Sequence, residues 1–258
     1  MNPVQAIIAL AAVLLHCAMA LAQEPPPQHK LELELGKSVE HLTGGRGDWR
    51  STHLNGKLGN GETRQTYFWR LRNTERFGLA DDELAVGTYQ PFGRVWGVMV
   101  EASASPTHHV LAKTTLLAQL ERRFDNGWGA QLGYRRSQYS LGGTDLAIAT
   151  VERYFSDFRV AYSFYLGRPD GAAAGAAHRL QSAYYYSDQS FFGISAWAGK
   201  ELENIVPGGV LTSRVRGASI AGRHEFAPGW AATYEVFSHR QGGLYSRRGL
   251  SIGLRHLF

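Results

Sequence analysis

The chain contains 258 residues, carries a formal net charge of +5 and has one cysteine, Cys17. Glycine is abundant, with 30 residues, and aromatic residues make up 12% of the sequence, a composition typical of an all-β protein. The charge is too small and too scattered to favour a nucleic-acid partner, and the length allows one sizeable domain.

Residues 1–22 have the pattern of a cleaved secretory signal peptide. Ile7 to Leu15 is an apolar core that is too short to span a membrane as a helix, and Ala20-Leu21-Ala22 predicts cleavage after Ala22. Cys17 lies within this segment, so the exported chain is expected to have no disulfide, no cysteine-based zinc site and no cysteine nucleophile. Residues 23–29 follow as a short proline-rich periplasmic leader.

From residue 30 to residue 258, apolar and polar residues alternate in stretches of about ten residues. Phe158, Val160 and Tyr162 share one phase, whereas Arg159 and Ala161 share the other. Such stretches are long enough to cross a bilayer as tilted strands. The predicted strands, about 14 in number, cover residues 30–36, 48–58, 63–73, 82–90, 94–103, 115–124, 128–138, 144–154, 158–166, 178–186, 191–199, 211–223, 230–239 and 246–258.

The predicted connections differ in length between the two ends of the sheet. Those after even-numbered strands are short and contain turn residues, as in Asp125-Asn126 and Pro228-Gly229. Those after odd-numbered strands are mostly longer, and examples are 104–114, 167–177 and 200–210. Bacterial outer-membrane barrels have short periplasmic turns and longer extracellular loops. An even strand count would then leave both termini in the periplasm. None of the long predicted loops has the features of a plug that would fill the lumen.

Aromatic residues recur on both sides of the short connections, at one end of the predicted strands. A ring of aromatic side chains at the lipid–water interface is the girdle of an outer-membrane β-barrel. The predicted periplasmic girdle consists of Phe92, Trp96, Phe124, Trp128, Tyr154, Phe158, Phe191, Phe226, Trp230 and Phe258.

A soluble β-sandwich is the main alternative, since its strands also alternate between two faces. A sandwich needs a dry apolar core on one face, but here one face of several strands carries Gly, Ser, Arg, Glu and Gln, while the other carries aromatics. The sequence therefore predicts an all-β fold: an antiparallel transmembrane up-and-down β-barrel of about 14 strands, with 12 or 16 as open alternatives. Its location would be the outer membrane of a Gram-negative bacterium.

Charged residues on the phase that lacks aromatics are predicted to line the lumen, because an Arg or Lys on the lipid face costs about 2–4 kcal/mol at the bilayer midplane. These residues are Glu32, Glu34, Arg70, Arg72, Glu101, Glu121, Arg123, Arg135, Arg159, Glu235 and Arg255. Both signs occur, which suits a narrow, weakly selective pore. Ion pairs and large side chains that close the lumen are the equally open alternative.

The sequence predicts neither a catalytic site nor a metal or cofactor site. Ser238 and His239 resemble the serine and histidine of barrel lipid hydrolases only by residue type, because adjacent residues face opposite sides of a strand and no asparagine follows. His108 and His109 are neighbours in a loop without further ligands nearby. The prediction is a protein that is not an enzyme.

Outer-membrane lipid, including lipopolysaccharide, is the expected partner, since Arg and Lys in the loops bind phosphate well. The basic loop residues are Arg46, Lys113, Arg168, Lys200, Arg240, Arg247 and Arg248. The last strand, with alternate apolar positions ending on Phe258, is similar to the signal that the barrel-assembly machinery recognises. The barrel is expected to be a monomer.

The stretch from Gly133 to Tyr165 carries a family resemblance. It contains the aromatic-basic strand Gly133-Tyr134-Arg135-Arg136 and the segment Glu152-Arg153-Tyr154-Phe155 before a tight turn, and the chain closes on Gly253-Leu254-Arg255-His256-Leu257-Phe258. These features resemble the YaiO family of outer-membrane β-barrels, over residues 30 to 258. The resemblance implies an outer-membrane location but no activity and no catalytic residues.

The first functional hypothesis is a small pore or export-associated channel for polar solutes, with saccharides as one candidate class. The second is a structural or interaction barrel with a closed lumen and no transport. The third and weakest is a barrel enzyme that acts on lipid.

Overall fold

The computed structural model describes residues 29–44, 47–61, 63–205 and 209–258, and these form one closed barrel of antiparallel strands. The predicted signal peptide, the predicted leader up to residue 28 and Arg46 lie outside the described residues. The strands are β1 His29–Leu42, β2 Trp49–Asn60, β3 Thr66–Arg76, β4 Leu79–Phe92, β5 Trp96–Ala104, β6 Thr114–Arg123, β7 Trp128–Tyr139, β8 Gly142–Phe155, β9 Phe158–Pro169, β10 Gly175–Ser187, β11 Ser190–Ile205, β12 Gly209–Ala227, β13 Trp230–Gln241 and β14 Tyr245–Leu257.

Each strand pairs with its sequence neighbours, and β1 pairs with β14 to close the sheet. In this seam Glu34 lies opposite Arg255 and Val39 lies opposite Leu250. Hydrocarbon offers no hydrogen-bond partner to a strand edge, so closure satisfies the backbone groups that an open sheet would leave exposed. The predicted barrel of 14 strands is confirmed.

The two faces of each strand meet different surroundings. In β7, Leu132 is 65% exposed and Tyr134 is 52% exposed, and both point away from the barrel. Gly129 and Ser137, on the other phase, are buried on the inside. Large apolar side chains are exposed on the outer wall because lipid is their solvent.

The two ends of the barrel differ in the connections that they hold. The turn rim, where β1 begins and β14 ends, holds tight connections such as Ser156–Asp157; the loop rim holds the connections after odd-numbered strands. The longest described connection, 105–113, lies at the loop rim, close to the predicted loop 104–114. The predicted loops 167–177 and 200–210 are shorter than expected, because β9 to β12 continue pairing into them.

One connection at the loop rim differs from the prediction. The sequence predicts a connection over residues 74–81, but β3 and β4 continue to a two-residue turn at Phe77 and Gly78. Both residues have positive φ, 54° and 76°, as a type I′ hairpin turn requires. Phenylalanine is an unusual residue for that conformation, so the turn gives little sequence signal.

Across the described residues, no helix is both long and apolar enough to cross a membrane.

Candidate functional site

The barrel interior is the candidate site. All of the residues predicted to line the lumen lie on the inward-facing phase of their strands. On the wall formed by β3 to β7 these are Arg70, Arg72, Glu101, Glu121, Arg123 and Arg135, and on the remaining wall they are Arg159, Glu235, Arg255, Glu32 and Glu34.

Ion pairs bind the inward charges of β3, β4 and β5 together. Arg70 lies between two carboxylates, with Nε 3.5 Å from Glu83 Oε1 and Nη2 3.4 Å from Glu101 Oε1. Arg72 Nη2 is 3.0 Å from the same oxygen of Glu83. Glu83 is 8% exposed, so two guanidinium groups are needed to compensate for its burial.

A second group of inward pairs lies near the seam and along the neighbouring wall. Arg255 Nη2 donates to Glu32 Oε2, which links β14 to β1. Glu34 Oε1 lies 3.3 Å from His53 Nε2. The Arg159–Glu152 pair has a distance of 2.7 Å between nitrogen and oxygen. These pairs join strands that are adjacent in the sheet, so they hold the charged side chains against the wall.

Arg135 and Arg179 are among the inward basic residues that stand apart from these pairs. Among the described residues, no ion pair includes Arg135 or Arg179. The Arg179 guanidinium lies 5.5 Å from the centre of the Trp197 ring, and its Nη2 donates a 3.2 Å hydrogen bond to Ser195 Oγ. The two arginines therefore give the interior positive charge that no protein carboxylate neutralises directly.

Large inward rings occur at positions that the sequence prediction does not name. Phe68, Trp197 and Phe237 point into the barrel, each over an inward glycine of the next strand. A Cβ atom on the facing glycine would come within 2.4 Å of Phe68 and Trp197 and within 2.2 Å of Phe237. A glycine that recurs opposite an aromatic on the polar phase is the signal that could have located them.

Two of the cavities inside the barrel share one residue, Glu235. The cavity near the loop rim has a volume of about 540 Å³ and borders Arg135, Tyr165, Arg179, Trp197 and Glu235. The cavity near the turn rim, of about 330 Å³, borders Glu32, Glu34, Arg223, Arg255 and again Glu235. Glu235 therefore lies where the two spaces approach each other.

The loop rim is narrowed from inside by an apolar cluster. Trp49, Leu42 and Tyr245 are buried together, and Phe77 and Leu244 pack against them. The guanidinium groups of Arg76 and Arg247 lie 4.5 Å and 5.2 Å from the Trp49 ring centre, where a cation is attracted to the ring face.

The connection 105–113 also folds inward at this rim. The carboxylate of Asp81 accepts hydrogen bonds from the backbone N–H groups of His109, Val110 and Leu111, at 2.9, 2.6 and 2.8 Å. Asp81 is 1% exposed, so these bonds replace the water that the carboxylate has lost. This connection, the longest that the structure describes, is therefore tied to the inner wall at the loop rim.

The predicted girdle is found on the outside of the turn rim for most of its members. Phe92 and Trp96 stack with ring centres 6.3 Å apart, and Trp230 packs on His256, which in turn contacts Phe258. Trp128, Phe124, Phe158 and Phe226 are also exposed there.

Tyr154 and Phe191 are corrections to the predicted girdle. Tyr154 pairs with the inward Arg159, because the turn after β8 has two residues and places Phe155 opposite Phe158 on the outside. Phe191 pairs with Tyr185 and borders the cavity near the turn rim, since the register shifts between Tyr185 and Ser187. The outer positions belong instead to Phe155 and Phe192.

A known family of membrane barrels matches most of this chain. The family model of the YaiO membrane beta barrel domain matches residues 30–204. The chain belongs to the YaiO family. A comparison with curated proteins gave no match.

Solved outer-membrane channels share the fold of this YaiO barrel. The CymD monoaromatic hydrocarbon channel aligns with a TM-score of 0.56 at 9% identity, over 89% of this chain and 87% of that one. The Salmonella typhi OmpF complex with daunomycin aligns with a TM-score of 0.50 at 8% identity, over 89% and 97%. The family and the porin-like fold together support an outer-membrane location.

The residues considered for catalysis and metal binding are separated in this YaiO barrel. Ser238 faces outward, whereas His239 is 2% exposed on the inside. His239 Nδ1 accepts a 3.0 Å hydrogen bond from Trp197 Nε1, and its Nε2 lies 2.7 Å from Gln241 Oε1, so both ring nitrogens are engaged. His109 pairs with Asp81, and the described residues hold no group of three metal-ligating side chains.

Proposed function

We propose that the chain forms a narrow pore for small polar solutes across the outer membrane. The observation that supports this proposal is that Glu235 borders two interior cavities, one near each rim, as expected of a route along the lumen. Charged and hydrogen-bonding groups line that route, as a hydrated path for polar solutes requires. Ion pairs hold much of the charge against the wall, which favours small solutes and low conductance.

Conductance of the purified barrel in a planar bilayer tests this function. The wild type is expected to give small, stable current steps, and Glu235→Gln is expected to shift the reversal potential in a salt gradient towards anion preference. Glu75→Gln is the matched control, because Glu75 is exposed on the outward phase of β3. A correctly folded barrel that gives no current would contradict the proposal.

A second candidate, a closed structural barrel, is favoured by the loop rim. The cluster of Trp49, Leu42 and Tyr245 and the inward-folded connection 105–113 both reduce the opening there. If the wild type is silent and Trp49→Ala produces current, the barrel is closed in its resting form. If both are silent, the lumen does not conduct and the second candidate replaces the first.

Lipid hydrolysis has the least support. Ser238 and His239 lie on opposite faces of β13, so the hydroxyl is beyond the reach of the imidazole. An assay of purified barrel with phospholipid vesicles is expected to show no release of fatty acid, and His239→Ala would abolish any release that did occur.

We further propose that the turn rim, and with it both termini, faces the periplasm. The support is the similarity of its short turns to the periplasmic turns of bacterial barrels. Leu141, at the loop rim, is 64% exposed and suits labelling from outside. In intact cells, Leu141→Cys is expected to react with a membrane-impermeant maleimide, whereas Ser156→Cys at the turn rim is not. The reverse labelling pattern would invert the orientation.

The last strand is proposed to guide assembly into the membrane. Phe258 donates its backbone N–H to Leu31 O at 2.8 Å, and its ring contacts His256 at 4.3 Å between centres. Deletion of Phe258 is expected to lower the amount of folded barrel in the outer membrane, with Phe258→Tyr as the control that keeps an aromatic ring at this position. A normal yield would limit the residue to packing.

A further inference from the structure

Three outward arginines lie together near the loop rim on neighbouring strands. Arg216 of β12 is directly opposite Arg240 of β13, and both are exposed on the outer phase. Arg248 of β14 lies on the same outer surface, opposite Ser238 of β13 on one side and His41 of β1 on the other. None of them has an ion-pair partner among the described residues. We call this group the outer arginine patch.

This arrangement is unfavourable unless an anion binds it. Like charges directly opposite each other on one face of a sheet repel and destabilise the pair of strands. The cost grows where the neighbouring outer surface meets lipid, because charged side chains on the lipid face lose hydration. An anionic group between the guanidinium groups would reverse the sign of this interaction.

An apolar groove begins directly beside the outer arginine patch, on the side of the turn rim. The small residues Ala196, Ala218 and Ser238 lie in one row across three strands and form its floor. Larger apolar side chains flank this floor and give the groove a volume of about 900 Å³. They are Val39, Leu180, Ile194, Ile220, Val236 and Leu250. Arg248 and His41 line the end of the groove nearest the loop rim, so the positive charge of the patch and the apolar surface of the groove are continuous.

We propose that this surface binds lipid A, the phosphorylated and acylated anchor of lipopolysaccharide. Its phosphates would bind the outer arginine patch, and one acyl chain would lie in the groove. Phosphate accepts paired hydrogen bonds from guanidinium groups, and a groove with a floor of small residues admits a hydrocarbon chain. Several cations side by side suit a headgroup with more than one phosphate better than a phospholipid with one. The choice of lipid A rests on the proposed orientation, in which the loop rim meets the outer leaflet.

Lipid titration of the detergent-purified full chain, followed by native mass spectrometry, tests the site. The probes are bis-phosphorylated lipid A, its dephosphorylated form and phosphatidylglycerol. Arg216→Gln/Arg240→Gln removes two of the three charges of the outer arginine patch, and Ala218→Leu fills the groove while leaving all three charges in place. Arg153→Gln is the control, because Arg153 is an arginine at the turn rim that packs 5.2 Å from the Trp128 ring centre.

The expected result is that the double variant weakens lipid A binding by about tenfold or more, since each guanidinium–phosphate contact is a charge-assisted hydrogen bond. Ala218→Leu should also weaken binding, and Arg153→Gln should not. Without lipid, the double variant should resist urea at least as well as the wild type, because it removes repulsion. With lipid A present, the wild type should resist urea better than the double variant.

Three outcomes would overturn the assignment. They are equal binding of dephosphorylated lipid A, equal binding of phosphatidylglycerol, and unchanged affinity in the double variant. Because binding is measured in detergent, it does not depend on orientation, so a failure of the cysteine-labelling test above remains distinguishable from a failure of this site.

Discussion

Arg255 and Glu32 join the last strand of the barrel to the first, with the Arg255 guanidinium donating to the Glu32 carboxylate on the inner wall. Arg255 is 5% exposed, so it has few alternatives to this partner. Asn55 and His53 bond the adjacent Glu34 at 3.3 Å each, which places a second carboxylate beside the same seam.

We expect Arg255→Gln to lower the free energy of unfolding by about 1–3 kcal/mol, because a carboxylate on the inner wall loses a charge-assisted hydrogen bond. Urea titration of the barrel in phospholipid vesicles measures the change. Glu32→Gln/Arg255→Gln should cost less than the sum of the two single variants. Strict additivity in this cycle would show that the pair is not coupled.

Gly249 faces Phe237, and a Cβ atom at this position would come 2.2 Å from the ring. Gly249→Ala should therefore destabilise the barrel by about 1–3 kcal/mol, because the ring must leave its favoured rotamer. Gly243→Ala is the control, since nothing lies within 4 Å of its added carbon. Equal stability of the two variants, measured by the same urea titration, would mean that Phe237 repacks freely.

Asp81 holds the connection 105–113 through three backbone hydrogen bonds. We expect Asp81→Ala to release this segment and to speed hydrogen exchange of the amides of residues 109–111 by about thirtyfold, which corresponds to about 2 kcal/mol of lost hydrogen bonding. Asp82→Ala is the matched control, since Asp82 accepts from Asn73 Nδ2 on the outer phase at 2.8 Å. If single-channel current is seen in the wild type, it should increase in Asp81→Ala and not in the control.

Asp170 and Arg136 form a bidentate pair outside the barrel wall, with both nitrogen–oxygen distances at 2.9 Å. The Arg136 side chain, aided by the Gly143 backbone N–H, lowers the pKa of Asp170 below its usual value. A carboxyl with a lowered folded pKa stabilises the protein above the pKa of the unfolded chain, and this stabilisation is lost as the pH falls through the folded pKa.

The stability difference between the wild type and Asp170→Asn should thus be constant from about pH 7 to pH 5 and shrink below about pH 4. Urea titrations at several pH values measure it. Asp157→Asn at the turn rim is the control, because the Asp157 carboxylate has no ion pair among the described residues and accepts from Ser156 Oγ at 3.4 Å. A difference for Asp170→Asn that does not change with pH would contradict the pair's role.

The sequence predicted the inward phase of residues such as Arg70 and Glu101 because strand periodicity needs no knowledge of the partner strand. The predicted outward position of Tyr154 is wrong because its face depends on the register around the turn at Ser156–Asp157. A shift of one residue in that register moves the side chain to the other face. Local composition does not specify that register.

The narrowed loop rim could not be predicted for a different reason. Asp81 and the amides it binds are 28 to 30 residues apart in the chain. Neither segment carries a sequence motif that predicts this contact. The turn at Phe77 and Gly78, which places Phe77 against Trp49, was missed because its first residue rarely adopts positive φ. Contacts of this kind depend on tertiary structure.

The hydrogen bond between Arg255 and Glu32 spans 223 positions of the chain. The entropy lost in joining two segments grows with the length of chain between them, whereas each hairpin along the sheet closes a short interval. Hairpins should consequently form early in folding, and the junction of β1 with β14 should form last. The open sheet that precedes this junction has two unpaired edge strands, so it is the species most prone to aggregate and the one on which assembly factors should act.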